Sequence, residues 1–283
     1  MFLNYWVLGI LFIIGLSIGS FVNVLEIRTY KKIDFIKKRS FCPICKHTLN
    51  PIDLIPILSF ILIKGRCRYC GTKVSWQYPI VEFLNGILFF ASGLHVLSKM
   101  HINGISDVFI SLIYSVFVGF IMSLFLFFAL YDVKHKIILN KAIYPSIIFA
   151  FLCDVILATV MYFYPSCPFL SIWGEFNILW NLLSSILGGL FILLVIILTK
   201  EKGMGGGDLK LVVLMGLLLG FKRFIIAFYI SVLSGALIGI IWGLYKGKIR
   251  GLKIPFGLFL SIGTIISFFY SSKIEEIFYK LCS

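Results

Sequence analysis

The sequence predicts an all-α, polytopic membrane protein of about eight transmembrane helices, with a cytoplasmic zinc-ribbon-like loop between helices 1 and 2. Three observations lead there. Of the 283 residues, 60% are hydrophobic and 13% are charged, with a mean hydropathy of +1.04, an apolar share well above that of soluble proteins. Apolar runs recur at lengths that cross a bilayer. The net charge of +14 is gathered into a few short stretches, as it is in the cytoplasmic loops of membrane proteins. Such a chain cannot be a soluble globule, and its basic balance reports orientation. No nucleic-acid partner is expected.

The first run, residues 5–25, is long enough to span. It has neither a basic n-region nor a small-residue cleavage site, so it reads as a retained helix rather than a removed signal. Gly9, Gly15 and Gly19 offer a neighbouring helix a close approach. Ser20 and Asn23 near its end read as interhelical hydrogen-bonders. Residues 28–77 form the one long polar stretch, with eleven Lys/Arg against Asp34 and Asp53. That stretch is expected in the cytoplasm, with the N-terminus outside.

Further apolar runs follow at 78–97, 108–131, 142–164, 176–199, 209–220, 224–245 and 254–271. Alternation then brings 132–141, 200–208 and 246–253 to the cytoplasmic side. Lys222 and Arg223 fall outside under this scheme. Dropping the short sixth run would instead expose Lys246, Lys248, Arg250 and Lys253, a larger violation. The expected division is a first helix at 1–27, a cysteine loop at 28–77 and a membrane-embedded core at 78–283.

Within the loop, Cys42-Pro43-Ile44-Cys45 and Cys67-Arg68-Tyr69-Cys70 are two C-x2-C knuckles separated by 21 residues. Four thiolates at this spacing form a tetrahedral set for a structural zinc ion. Cytoplasmic thiols stay reduced, which disfavours disulfides. A loop of this size has too little core to fold unaided, and a metal supplies the missing stability. Cys153, Cys167 and Cys282 read as incidental.

Two carboxylates stand at one membrane level. Asp132 closes the third run, and Asp208 follows a glycine loop, Gly203-Met204-Gly205-Gly206-Gly207, and opens the sixth. Either alone reads as an interfacial charge or a helix cap. Together they have the make-up of an aspartyl protease dyad, in which apposed carboxylates share a proton. One would activate a water and the other would protonate the substrate. Asp154 and Glu82 are further ionisable residues inside apolar runs, each readable as a packing partner.

These residues resemble a known family. Gly205-Gly206-Gly207-Asp208 is similar to the GxGD motif, and its surroundings resemble the type IV prepilin peptidases. Gly19-Ser20-Phe21-Val22-Asn23, the segment Asp53 to Ser59, Lys64-Gly65-Arg66-Cys67, Tyr78-Pro79-Ile80-Val81-Glu82 and Ile254-Pro255-Phe256-Gly257 extend the likeness along the chain. Two departures from the family pattern stand out, Leu139-Asn140 where the family usually has Pro-Asn or Pro-Asp and Leu258 where it often has another Pro, and neither removes a reactive group.

The resemblance implies a bifunctional enzyme of the bacterial inner membrane. It would remove the leader of prepilin or pseudopilin precursors at the cytoplasmic face, and would then N-methylate the new terminus with S-adenosylmethionine. Asp132 and Asp208 would be catalytic. Asn23, Arg28, Gly65 and Glu82 are the candidates for the cofactor site, Glu82 reading equally as a partner for Arg28 or Lys73. Membrane lipid is a further expected partner, through anionic headgroups that meet the basic leader. The rival readings are a signal-peptide-peptidase-like intramembrane protease and a non-enzymatic zinc-containing scaffold. The oligomeric state is not legible.

Overall fold

The computed structural model describes residues 2–32, 39–100, 104–163, 176–200, 204–247 and 254–282. Gly203, Lys248, Arg250 and Lys253 lie outside the described residues, as do Asp34 and Cys167. Among the described residues the fold is all helical apart from two isolated β-bridges. It divides into two compact units, 1–127 and 128–283.

The first unit contains α1 (Phe2–Tyr30), a 3-10 turn (Pro51–Leu54), α2 (Leu58–Leu62), α3 (Gln77–Lys99) and most of α4 (Ile105–His135). Small residues let α1 and α3 meet closely. A Cβ on Gly15 would lie 2.8 Å from the Cα of Gly86, and one on Gly19 would lie 2.7 Å from the Cα of Glu82. Gly9, expected to serve the same contact, faces open space. Asn85 sits in the seam, where its amide donates to the Gly15 carbonyl (2.8 Å) and its oxygen accepts from the Ser123 hydroxyl (2.7 Å). A buried polar side chain in an apolar seam must find such partners, and each bond ties one helix to another.

The second unit continues from the end of α4 through α5 (Asn140–Phe163), α6 (Ile178–Thr199), α7 (Gly206–Tyr245) and α8 (Phe256–Cys282). Asn177 caps α6 by accepting from the Leu179 N–H at 2.9 Å. The 40 residues of α7 would measure roughly 60 Å if straight, about twice the thickness of a hydrocarbon core. The helix breaks at Gly220, where φ is 69° and ψ is 173°, a backbone state almost closed to other residues. The first limb packs on α6, with Ser184 Oγ donating to the Gly216 carbonyl at 2.8 Å. The second limb packs on α8, with Ser267 Oγ donating to the Arg223 carbonyl at 2.6 Å.

Among the described residues six helices are long and apolar enough to cross a membrane, and the apolar part of α8, Phe256–Ser271, is shorter. Among the described residues all eight expected runs are helical over most of their length, the sixth and seventh being the two limbs of α7. Several ends differ from expectation, most of all that of α8, which runs on to Cys282. Helix α1 runs on to Tyr30 and α4 to His135, because Glu26, Arg28 and Lys134 are good helix formers that continue the turn beyond the apolar stretch.

Candidate active site and cysteine centre

Asp132 lies on the last turns of α4 and is buried. Its Oδ2 accepts the backbone N–H of Leu258 at 3.3 Å, and the Gly257 N–H also points to it. These are first-turn amides of α8, unsatisfied within their own helix, and a helix start favours an anion. The approach is tight: a Cβ on Gly257 would stand 2.8 Å from Asp132 Oδ2.

Asp208 lies in the first turn of α7, where its Oδ2 accepts the Gly205 N–H at 3.2 Å. Both carboxylates therefore sit at helix starts, and the charge of Asp132 is felt at Asp208. Ile138 bridges the two loops. It lies 3.1 Å from the Cβ position of Gly207 and 3.3 Å from that of Gly257, so glycines are needed on both sides of it. Lys210 extends the same assembly, donating to Asn140 Oδ1 at 2.6 Å and lying over the Tyr144 ring. Asn140 follows Leu139, the residue at which the chain departs from the family pattern, and here it anchors the start of α5 to α7. Gly257, Leu258 and Ile138 were not singled out from sequence as partners of Asp132. Only the likeness of Ile254-Pro255-Phe256-Gly257 to a family motif pointed toward them.

Asp154, readable from sequence as a packing partner, lies deep in α5 and away from this pair along the chain. One of its oxygens accepts from Asn181 at 3.0 Å and the other is unpaired.

In the first unit the sulfur atoms of Cys42, Cys45, Cys67 and Cys70 all lie within 4.8 Å of one another. The Cys42–Cys70 separation is 3.9 Å, close to the about 3.8 Å edge of a tetrahedron with zinc–sulfur bonds of about 2.3 Å. The two knuckles repeat one another. Cys42 N–H bonds to the His47 carbonyl (2.9 Å) and Cys67 N–H to the Thr72 carbonyl (2.8 Å). Each turn closes through a left-handed residue, Lys46 and Gly71. Backbone N–H groups point at the sulfurs: those of Ile44 and Cys45 at Cys42, of His47 at Cys45 and of Thr72 at Cys70. Hydrogen bonds from the Thr72 hydroxyl and N–H bring the Cys70 thiol down to about 6 from its ordinary 9.0. This donor set suits thiolates that hold a metal ion. Asp53 braces the centre, accepting from Tyr69 OH at 2.9 Å and pairing with Arg68 Nε at 3.2 Å.

The four residues expected at a cofactor site are also in the first unit. Asn23 is fully buried on α1; its amide bonds to the Gly19 and Tyr78 carbonyls, and its oxygen accepts from Gln77 at 3.1 Å. Gln77 also donates to the buried Glu26 at 3.3 Å. Glu26 was missed from sequence, although it lies three residues from Asn23 on the same helical face. Arg28, two residues beyond Glu26, is half-buried.

Glu82 is buried, and it accepts from the Ile57 N–H at 2.7 Å and from the Ser20 hydroxyl. These, rather than Arg28 or Lys73, are its described partners. The first of them holds Ile57 at φ 59°, a costly state for a β-branched residue. Gly65 has φ 66° and turns the chain after α2, its N–H bonding back to the Phe60 carbonyl at 2.9 Å.

A multi-pass helical protein that sets two carboxylates at helix starts around a glycine turn, and that carries a four-cysteine centre, has the make-up of a membrane-embedded aspartic peptidase. Known proteins agree. The model of the bacterial peptidase A24 N-terminal domain matches residues 13–96, and that of the type IV leader peptidase family matches residues 119–240.

A prepilin leader peptidase/N-methyltransferase of Bacillus subtilis (strain 168) is 33% identical over 97% of this chain and 98% of its own length. Proteins of the same name in Legionella pneumophila (29% identical; 86% and 76% covered) and Aeromonas hydrophila (27%; 95% and 92%) are similar too. No solved structure matches the chain. The chain belongs to the type IV leader peptidase family.

Proposed function

We infer that this protein removes the leader of prepilin or pseudopilin precursors at the cytoplasmic face of the bacterial inner membrane and then N-methylates the new terminus. The observation that carries the reading is the convergence of Asp132 and Asp208 on two helix starts in a chain of this family. One carboxylate of the pair takes a proton from water as the oxygen adds to the scissile carbonyl. The other, protonated, gives its proton to the leaving amine as the C–N bond breaks. The amides of Gly257 and Leu258 keep one carboxylate aligned, and Ile138 keeps the two loops in register.

The second activity belongs to residues 19–82. S-adenosylmethionine, when bound, supplies an electrophilic methyl group. The buried side chains of Asn23, Glu26 and Glu82, with the half-buried amide of Gln77, suit its ammonium and ribose hydroxyls, and Arg28 suits its carboxylate. Glu82 is also placed to take the proton that the new terminal amine must lose before it can accept a methyl group. Gly65 serves the same region by shaping the turn beside Ile57 and Glu82. Zinc held by the four cysteines is structural, holding the 28–77 loop against α1 and α3.

The test is intact-mass spectrometry of a prepilin-like substrate incubated with enzyme variants in vesicles. Asp132→Asn and Asp208→Asn are each expected to lower cleavage by about 10²–10⁴-fold, with the zinc content unchanged. Cleavage at the normal rate by either folded variant contradicts the reading.

A further inference from the structure

The longest run without a charge in the polar 28–77 stretch is Leu54-Ile55-Pro56-Ile57-Leu58-Ser59-Phe60-Ile61-Leu62-Ile63, in which only Ser59 is polar. A solvated loop has no use for it, and the structure does not bury it. Leu58 is 50% exposed, Ile61 63% and Leu62 63%, with Ile52, Leu54 and Ile55 also exposed. Single exposed apolar residues are ordinary, whereas a contiguous set marks a surface that something covers.

Two ties set the height of this segment. Glu82, in the second turn of α3, holds the Ile57 N–H at 2.7 Å. Phe60 packs edge-on against Trp76 at the start of α3, with ring centroids 5.0 Å apart. The segment thus lies beside the first two turns of a helix that is long and apolar enough to cross a membrane. The outward residues of α3 at that level, Ile80 and Phe83, are themselves half exposed, as lipid-facing side chains are.

Just beyond the segment the chain turns at Lys64 and Gly65, both at positive φ, and presents Lys64, Arg66, Arg68 and Lys73 on exposed positions. Apolar residues followed at once by clustered cations, with an exposed Trp at the boundary, are the composition of an interfacial membrane anchor.

We propose that residues 54–63, with Trp76, are inserted into the boundary between acyl chains and headgroups of the cytoplasmic leaflet, and that Lys64, Arg66, Arg68 and Lys73 bind its anionic headgroups. The occupant of the exposed apolar face is lipid, continuous with the lipid around α3. The cysteine centre is thereby held flat against the membrane surface and does not stand off in the cytoplasm.

The full chain in vesicles containing phosphatidylglycerol, with a phospholipid that carries a diazirine on its acyl chain, tests this directly. Light-dependent adducts mapped by peptide mass spectrometry are expected on Leu58, Ile61 and Leu62 as well as on Phe83, which serves as the reference for a lipid-facing position. Ile61→Asp combined with Leu62→Asp removes no buried contact, and is expected to lose the 58–62 adducts while Phe83 labelling and zinc content persist. In vesicles of phosphatidylcholine alone, labelling of 58–62 is expected to fall relative to Phe83. Adducts on Phe83 with none on 58–62 overturn the proposal. So does labelling of 58–62 that is replaced by crosslinks to a second protein chain, or that is indifferent to the double substitution.

Discussion

Gly257 states the chemistry of the candidate site most sharply. It is the residue that lets the first-turn amides of α8 reach Asp132, since a Cβ there would stand 2.8 Å from the carboxylate oxygen. Gly257→Ala must therefore displace either the carboxylate or the helix start. A misplacement of a few tenths of an ångström to 1 Å at a reacting group costs about 10²-fold. Cleavage is expected to fall by about that factor, measured as initial rate of leader loss. Methylation of a synthetic, already matured pilin N-terminus is expected to be unchanged. Gly65 is a different case. Its φ of 66° and the Phe60 ring 3.0 Å from its Cβ position mean that Gly65→Val strains the turn itself. Loss of methylation in that variant would report folding of the loop as much as cofactor binding.

At the scale of elements, what the sequence made legible was what composition alone determines. The eight apolar runs became helices because hydrocarbon surroundings leave the backbone no other way to satisfy its hydrogen bonds. The knuckles were legible because four cysteines at fixed spacing admit few arrangements. The pairings were not. Nothing local to Glu82 says that it holds the N–H of Ile57, and nothing local to Asp132 says that α8 begins against it. The apolar stretch at 54–63 was hidden inside a loop read as polar from its cations.

Cys42→Ser with Cys45→Ser is expected to take the chain from one zinc to none by metal analysis, and to open residues 39–77 to limited proteolysis while the helices persist by circular dichroism. Gly220→Ala forces a side chain into a left-handed position, 2.7 Å from Asn181 Oδ1, and is expected to cost about 1–3 kcal/mol. Thermal denaturation in detergent reads this as a lowered midpoint, and an unchanged midpoint would mean that the break in α7 relaxes without cost.

For the whole molecule, the partition of residues is the main result. The carboxylate pair, the amides of Gly257, Leu258 and Gly205 that bond to it, and Ile138 beside Gly207 and Gly257 lie in residues 128–283. The cysteine centre and the polar cluster of Asn23, Glu26, Gln77 and Glu82 lie in residues 1–127. Under the proposed function the two chemistries fall in two compact units, and the two family models match residues 13–96 and 119–240.

The most direct test of that claim is a single substitution, Glu82→Gln, read by intact-mass spectrometry of the substrate. Gln keeps an oxygen to accept the Ile57 N–H, so the loop geometry is preserved while the proton acceptor is lost. The expected product has lost its leader at near the normal rate and lacks the added methyl group. Parallel loss of cleavage and methylation in this folded, zinc-loaded variant would contradict the partition, and would mean that one shared site performs both reactions.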